Sequence, residues 1–169
     1  MSTLEYPAVA KVAAALREAG MDRAADGIRI LDADVKTAAA AAAALGVEVG
    51  AIANSLIFRT DSGPLLALTS GAHRADTKLL AELVGVREVG RADATYVREH
   101  TGQPIGGVAP TGHPAPLRTL VDRHLERHAV VWAAAGHPKS LFPTTFAELV
   151  TLTGGTAADV AREEDDRAS

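Results

Sequence analysis

The stretch from Gly102 to Pro116 constrains the fold of this sequence more than any other, because it can form neither a helix nor a central strand. It reads Gly-Gln-Pro-Ile-Gly-Gly-Val-Ala-Pro-Thr-Gly-His-Pro-Ala-Pro. Its prolines lack the backbone N–H that both structures need, and its glycines weaken either one. Long ordered loops inside compact domains are often functional. The sequence therefore predicts regular elements on both sides of one long loop, and this loop is the first candidate for a site.

Five segments carry the periodicity and the end signals of helices. They are residues 7–19, 38–45, 76–84, 93–100 and a last helix that follows Thr145 and ends near Leu152. Thr37 is suited to cap the second helix, and Gly46 is suited to end it. Thr145 and Glu148 have the spacing of a capping box at the start of the last helix.

Short apolar segments predict the strands. Residues 55–59 and 65–69 flank the sequence Asp61-Ser62-Gly63-Pro64, which is typical of a β-hairpin. The other predicted strands are residues 27–31, 86–89, 118–121 and 130–134, with a helical turn near residues 124–128. Strands and helices are mixed without strict alternation, which favours an α+β domain with a mixed sheet.

Length and composition set the class of protein. The 169 residues fit one domain, which we place at residues 1–160, followed by an acidic, flexible tail at residues 161–169. The absence of cysteine excludes thiolate zinc sites and a cysteine nucleophile. No apolar run has transmembrane length, and the N-terminus lacks a signal-peptide pattern. We therefore expect a cytoplasmic protein with no membrane partner.

The charge balance limits how this chain can bind nucleic acid. The formal net charge is −4, whereas a protein that grips phosphates alone should be basic. We expect no DNA partner, and any contact with RNA should be local and weak. Aromatic platforms for bases are also scarce, with three Phe, two Tyr and one Trp.

The long loop contains the most informative candidate for chemistry. The sequence has no Gly-x-Ser-x-Gly elbow, no P-loop and no dinucleotide fingerprint. Gly106 and Gly107 expose backbone N–H groups, and Pro110 fixes the far end of their turn. Such N–H groups can be aimed at a carbonyl oxygen as it becomes an oxyanion. A plain turn is the alternative interpretation of the same residues.

Four further polar side chains each have a functional and a structural interpretation. His124 and His128 have the spacing of two metal ligands on one helical face, with Asp122 as a third, as in a metal hydrolase. A solvated surface turn explains them as well. His137 follows an apolar strand, where clefts form, but it also fits a turn that ends the strand. Asn54 precedes an apolar strand and can close a turn there.

Taken in order, these segments resemble the YbaK-like aminoacyl-tRNA editing domains, which are relatives of the insertion domain of bacterial prolyl-tRNA synthetase. The matching pieces are Ile52-Ala-Asn-Ser-Leu-Ile-Phe58, His73-Arg-Ala-Asp-Thr-Lys-Leu79, Thr101-Gly-Gln-Pro-Ile-Gly-Gly-Val-Ala-Pro110 and Val131-Trp-Ala-Ala-Ala-Gly-His-Pro138. The resemblance extends over roughly residues 7–160. It implies a mixed, largely antiparallel sheet, described as a distorted barrel, that is surrounded by helices.

The resemblance also implies an activity and a site. The activity is trans-acting hydrolysis of the ester in a mischarged aminoacyl-tRNA, such as tRNA-Pro carrying a small non-cognate amino acid, without metal or cofactor. The implied partners are the aminoacyl-tRNA 3′ end and prolyl-tRNA synthetase. His137 matches a position that shapes the amino-acid pocket in some relatives. The carbonyl or the terminal ribose is held by one loop, which here consists of Gly106, Gly107, Val108, Ala109 and Pro110.

Asn54 departs from the family pattern, which has a lysine immediately before a Ser/Thr-Leu pair. A lysine offers a cation for a phosphate or for developing negative charge, whereas asparagine offers hydrogen bonds only. We assign Asn54 to catalysis and Ser55 to substrate binding, and Lys78 and Arg59 are candidate replacement cations. The alternative function is an altered or inactive member that binds a small ligand, tRNA or a synthetase.

Overall fold

The computed structural model describes residues 6–35 and 37–161. Its helices are α1 (Pro7–Glu18), α2 (Asp22–Asp26), α3 (Ala38–Leu45), α4 (Thr77–Val84), α5 (Ala94–Thr101) and α6 (Phe146–Thr153), with 3-10 segments at Val49–Ala51 and Arg123–Arg127. Its strands are β1 (Arg29–Ile30), β2 (Ile52–Thr60), β3 (Gly63–Ser70), β4 (Val89–Arg91), β5 (Arg118–Asp122), β6 (Val131–Ala134), β7 (Ser140–Thr144) and β8 (Thr156–Ala158). The predicted tail covers residues 161–169, and its residues 162–169 lie outside the described residues. No helix in the described ranges is long and apolar enough to cross a membrane.

The strands of the described chain form one mixed sheet. Their order is β1-β7-β6-β2-β3-β5-β8, and β4 lies beside β2. The pairs β1–β7, β6–β7, β2–β3 and β2–β4 are antiparallel. The pairs β2–β6, β3–β5 and β5–β8 are parallel. The predicted mixed sheet with surrounding helices is therefore confirmed.

The predicted helix ends are confirmed by their capping contacts. Thr37 Oγ1 accepts a hydrogen bond from the N–H of Ala40 at 3.1 Å, and Gly46 ends α3 with a φ of 71°. Thr145 Oγ1 accepts from the N–H of Glu148 at 3.1 Å. Local capping chemistry thus fixes where these helices begin and end, which explains why they could be read from the sequence.

The strand predicted at residues 86–89 is wrong in its position, because β4 covers Val89–Arg91 instead. The N–H of Val86 donates to Ala81 O at 3.1 Å and so belongs to the end of α4. The N–H groups of Arg87 and Glu88 both donate to Asp61 Oδ1, at 3.2 and 3.3 Å. These backbone groups are already occupied, so the ladder with β2 starts later.

Two strands that the sequence did not predict complete the sheet. Strand β7 lies between β1 and β6, although it contains Pro143. Strand β8 is a three-residue edge strand beside β5. Strand β7 pairs with its neighbour in the sequence, β6, across residues 135–139, but Pro143 interrupts the strand pattern of β7. Strand β8 is short and pairs with β5, which is distant in the sequence, so no hairpin signal marks it.

Strand β2 is flanked by two different strands on the side away from β3. Strand β6 pairs with Ile52 and Ala53, whereas β4 pairs with Phe58, Arg59 and Thr60. Residues 54–57 therefore have no neighbouring strand on this side within the described chain. We call this gap the β2 opening.

The direction of the backbone groups shows which residues face the β2 opening. The C=O of Ile52 points toward β3, since it accepts from the N–H of Gly71 at 2.8 Å. Backbone groups alternate in direction along a strand. Those of Ser55 and Ile57 consequently point away from β3 and toward the β2 opening.

Candidate active site

A cleft of about 460 Å³ lies at the β2 opening. Its walls combine strand β2, the residues around the start of α5 and the long loop. Most of the side chains that line it are apolar, and Arg91 is the charged one among them. The lining residues are Asn54, Ser55, Leu56, Ile57, Phe58, Arg91, Ala92, Val97, Ile105, Gly106 and Val108.

Gln103 holds the long loop from inside. Its side chain is 1% exposed, and its Oε1 accepts a hydrogen bond from the N–H of Ala109 at 2.7 Å. Its Nε2 donates to Thr111 O at 3.0 Å. The amide of Ala109, which belongs to the predicted set, is thus engaged within the loop. Sequence reasoning missed Gln103, although it is one of few polar side chains in the loop.

The remaining amides of the loop differ in their availability. The N–H of Gly107 donates to Pro104 O at 3.0 Å. The N–H groups of Gly106 and Val108 have no hydrogen-bond partner among the described residues. Both residues line the cleft. Since unpaired N–H groups beside a cavity are ready donors, these two can hold the oxygen of a bound ligand.

Position 107 requires a glycine, because the backbone of the loop passes close to the backbone of His137 and Pro138 there. A Cβ atom at this position would lie 2.6 Å from both His137 C and Pro138 N. No side chain fits in this space without moving the backbone of one segment. The turn at His137 therefore supports the loop from behind and sets the position of the two available N–H groups.

Asn54 and Ser55, consecutive residues of β2, both line the cleft. Ser55 Oγ is buried and has no hydrogen-bond partner among the described residues. Asn54 is exposed and offers its amide at the cleft. The predicted site residues Asn54, Ser55, Gly106 and Val108 are thus brought together in one cavity.

A comparison with known protein families shows which family this chain belongs to. Residues 32–152 match the family described as the aminoacyl-tRNA editing domain. The match covers most of the chain. This chain belongs to the aminoacyl-tRNA editing domain family. The predicted family is thereby confirmed.

Relatives and a solved structure agree with this family. The proline–tRNA ligase of Desulforamulus reducens is 30% identical to the editing domain over 141 residues, which are 82% of this chain and 24% of the ligase. The chain thus spans about a quarter of that relative's length. EbsC of Enterococcus faecalis, named as a candidate Cys-tRNA(Pro)/Cys-tRNA(Cys) deacylase, is 25% identical over 132 residues, which are 78% of this chain and 80% of EbsC.

The fold is confirmed by a crystal structure described as a candidate trans-editing enzyme for prolyl tRNA synthetase. That structure matches the editing domain with a TM-score of 0.84 and 40% sequence identity. The match covers 92% of this chain and 98% of the other.

Two predicted substrate-binding residues lie outside the cleft of the editing domain. Nδ1 of His137 accepts from the N–H of Lys139 at 3.0 Å, and its ring lies 4.6 Å from that of Tyr6. Pro110 is buried and faces a separate cavity near His113. Neither residue lines the cleft: His137 lies against the loop at Gly107, and Pro110 is part of the loop itself.

The two candidate replacement cations also lie elsewhere. The guanidinium of Arg59 lies 4.4 Å from the ring centroid of Tyr96. Lys78 is exposed in the first turn of α4. The cation that does line the cleft is Arg91, at the end of β4. The sequence could not indicate it, because the predicted strand ended two residues earlier.

His124 and His128 belong to a polar cluster away from the cleft, which we call the histidine cluster: His73, His124, His128 and Asp122. His73 Nδ1 lies 2.7 Å from Asp122 Oδ2, and Asp122 Oδ1 accepts from the N–H of His124 at 3.0 Å. The His73 and His124 rings lie 4.3 Å apart, and those of His124 and His128 lie 6.2 Å apart. No group of three such residues in the described ranges is arranged to hold a metal ion.

Proposed function

We propose that this editing domain hydrolyses the ester bond between a small non-cognate amino acid and the 3′ end of tRNA-Pro. The observation that carries the proposal is the pair of unpartnered N–H groups, from Gly106 and Val108, in a cleft that also contains Asn54 and Ser55. The family and the deacylase name given to EbsC support the same class of enzyme.

The reaction needs one site for an oxygen and one for a water molecule. Water attacks the ester carbonyl carbon, and the carbonyl oxygen becomes a tetrahedral oxyanion. The N–H groups of Gly106 and Val108 donate to that oxygen, and they bind it more strongly as its charge grows. The C–O bond to the ribose then breaks, the ribose oxygen takes a proton, and the amino acid leaves as its free acid.

Asn54 and Ser55 orient the reactants. The side-chain oxygen of Asn54 can accept a hydrogen bond from the attacking water, and its NH2 group can donate one to a ribose hydroxyl. The buried Ser55 hydroxyl has a hydrogen bond to give to the aminoacyl group. Alignment of this kind supplies much of the rate in reactions of activated esters.

The walls of the cleft restrict the amino acid. Ile57, Val97 and Val108 are buried apolar residues that line it. They favour a small side chain, which is the second-sieve principle: a pocket removes products that a synthetase rejects only weakly. Gly107, Ala109, Pro110 and His137 act indirectly, because they fix the loop.

The partners follow from the same chemistry. The tRNA 3′ end is the substrate, prolyl-tRNA synthetase is the enzyme whose errors are corrected, and the cytoplasm is the compartment of both. The mechanism uses only backbone donors and neutral side chains, so we propose that it requires no metal or cofactor. Full activity after exhaustive chelation is the expected result.

A panel of mischarged tRNAs tests the proposal. Alanyl-, seryl- and cysteinyl-tRNA-Pro are incubated with the full chain, together with correctly charged prolyl-tRNA-Pro. We expect at least one small amino acid to be released faster than in buffer, while the proline ester persists. No acceleration with any member of the panel would contradict the proposed function.

A second candidate function rests on Asn54, which places a neutral amide in the cleft where the family pattern has lysine. On this alternative the domain binds an aminoacyl-tRNA end without hydrolysing it. The Asn54→Lys variant separates the two: an inert natural chain and an active variant support the binding function. If the natural chain is active, the binding alternative is overturned.

A further inference from the structure

We propose that Arg91 binds the phosphodiester of the 3′-terminal nucleotide, so that the end of the cleft near Phe58 and Arg91 is a nucleotide subsite. The inference rests on the proposed function, because it places a part of the same substrate.

The charge of Arg91 is uncompensated within the protein. Its side chain is exposed, lines the cleft and has no ion pair or hydrogen bond with any described residue. The nearby carboxylate of Asp93 is occupied as the cap of α5, where it accepts from the N–H of Tyr96 at 2.8 Å. A cation without a partner beside a neutral cleft selects an anionic group on the ligand.

The position of Arg91 along the cleft indicates which anion this is. Arg91 lies directly opposite Phe58 in the antiparallel pairing of β4 with β2. Asn54 is four residues from Phe58 on the same strand, which corresponds to about 13 Å. The cation and the groups assigned to the ester are therefore near opposite ends of the β2 segment. A substrate with its ester at one end and its phosphate at the other matches this polarity.

The chemistry of this end suits a nucleotide. A guanidinium can bind two phosphate oxygens at once, which fixes orientation as well as charge. Phe58 also lines the cleft, although its side chain packs in part against the apolar cluster that contains Leu65 and Leu80. The part that remains accessible can stack with an unpaired base. One such local contact is also compatible with an acidic protein, because it needs no basic surface.

Kinetics with two substrates test the subsite. Alanyl-tRNA-Pro contains the phosphodiester, whereas 3′-O-alanyl-adenosine has none. We expect Arg91→Gln to raise KM for alanyl-tRNA-Pro about tenfold, with kcat nearly unchanged, since one charge-assisted contact is lost. Hydrolysis of alanyl-adenosine should not change. Arg91→Lys should recover part of the lost affinity, because it restores the charge without the bidentate geometry.

Arg98→Gln is the matched control, because it removes the same charge from an exposed position of α5 that does not line the cleft. The salt dependence of kcat/KM for alanyl-tRNA-Pro should fall by about 0.7 in log–log slope for Arg91→Gln and not for this control. Equal losses on both substrates, or a loss confined to kcat, would show that Arg91 acts at the ester and would overturn the subsite. An effect no larger than that of Arg98→Gln would overturn it as well.

A binding measurement keeps this inference separate from the proposed function. The dinucleotide CpA carries one phosphodiester, and adenosine carries none. The natural chain should bind CpA more tightly than adenosine, and Arg91→Gln should remove the difference. This result does not require hydrolysis, so an inactive protein with a CpA preference contradicts the deacylase but retains the subsite. Equal affinities of the natural chain for CpA and adenosine would overturn the subsite alone.

Discussion

The cleft and the histidine cluster differ in how their polar groups are used. In the histidine cluster, Asp122 binds His73 at 2.7 Å and the backbone N–H groups of Ser70 and His124 at 3.0 Å each. In the cleft, the donors of Gly106 and Val108 have no partner in the described chain. Internal hydrogen bonds stabilise a fold, whereas groups left without them can bind a ligand. A high density of titratable residues is therefore a poorer guide to this site than available backbone groups.

The largest expected effect comes from Gly107→Ala, which tests whether the cleft depends on the support behind its loop. The added Cβ would meet the backbone of His137 and Pro138 at 2.6 Å, so the loop must shift. Misplaced oxyanion donors typically reduce catalysis by about 100-fold or more. We expect a loss of this size in kcat/KM for alanyl-tRNA-Pro.

Gly90→Ala is the control for that substitution, because a Cβ at Gly90 has no atom within 4 Å. Its activity should stay within a few-fold of the natural chain. Circular dichroism and thermal unfolding should show that both variants are folded at the assay temperature. Full activity of folded Gly107→Ala would remove the loop from the mechanism.

Gln103→Leu tests the internal bonds of the loop and should have the next largest effect. It removes the acceptor for the N–H of Ala109 and the donor to Thr111 O from a buried position. Unpaired buried polar groups cost about 1–3 kcal/mol each, so the free energy of unfolding should fall by an amount of this order. We also expect kcat to decrease, and urea titration and single-turnover rates would measure the two effects. Unchanged stability and rate would mean that Gln103 does not hold the loop.

His113, in the long loop, should make the free energy of unfolding depend on pH. Burial lowers the pKa of His113 below its ordinary value, and the hydrogen bond that its Nε2 donates to Ala109 O at 2.8 Å opposes this shift in part. The unfolded chain therefore binds the proton more readily than the folded chain. The contribution of neutral His113 to the free energy of unfolding is therefore complete above about pH 6.5. It is lost as the pH falls toward the lowered pKa that His113 has in the folded protein.

The measurement for His113 is the free energy of unfolding at pH 7.5 and pH 5.5. The decrease at the lower pH should be smaller in His113→Gln than in the natural chain. A pH dependence that is identical in the natural chain and His113→Gln would refute the assignment to His113.

The smallest expected effect is that of removing the two histidines with metal-ligand spacing. Neither His124 nor His128 lines the cleft. The double variant His124→Gln, His128→Gln should therefore hydrolyse alanyl-tRNA-Pro at nearly the natural rate. A large loss of kcat in a folded double variant would reverse the comparison and place the chemistry at the histidine cluster.

The sequence predicted the features that depend on contacts between residues close together in the chain. Thr37 and Thr145 cap helices with their own side chains, and Asp61-Ser62 joins β2 to β3, so each signal lies within a few residues. The family match confirms the family that the ordered motifs indicated. Strand β8 was missed because its partner β5 is distant in the sequence, and β7 was missed because Pro143 interrupts its strand pattern.

The site was predictable only in part, for a similar reason. Gly106 and Val108 could be selected from the glycine-rich pattern, but that pattern does not say which amides remain available. That depends on Gln103, whose side chain reaches six residues along to Ala109. Arg91 enters the cleft only because β4 starts later than its apolar pattern indicates.

The proposed mechanism depends most on the N–H groups of Gly106 and Val108, which hold the carbonyl of the aminoacyl group. Amide NMR of the full chain, titrated with a non-hydrolysable analogue in which an amide joins alanine to the 3′ position of adenosine, tests it most directly. The largest downfield shifts should occur at the N–H resonances of Gly106 and Val108. Shifts centred on His124 and His128, with Gly106 and Val108 unchanged, would contradict it.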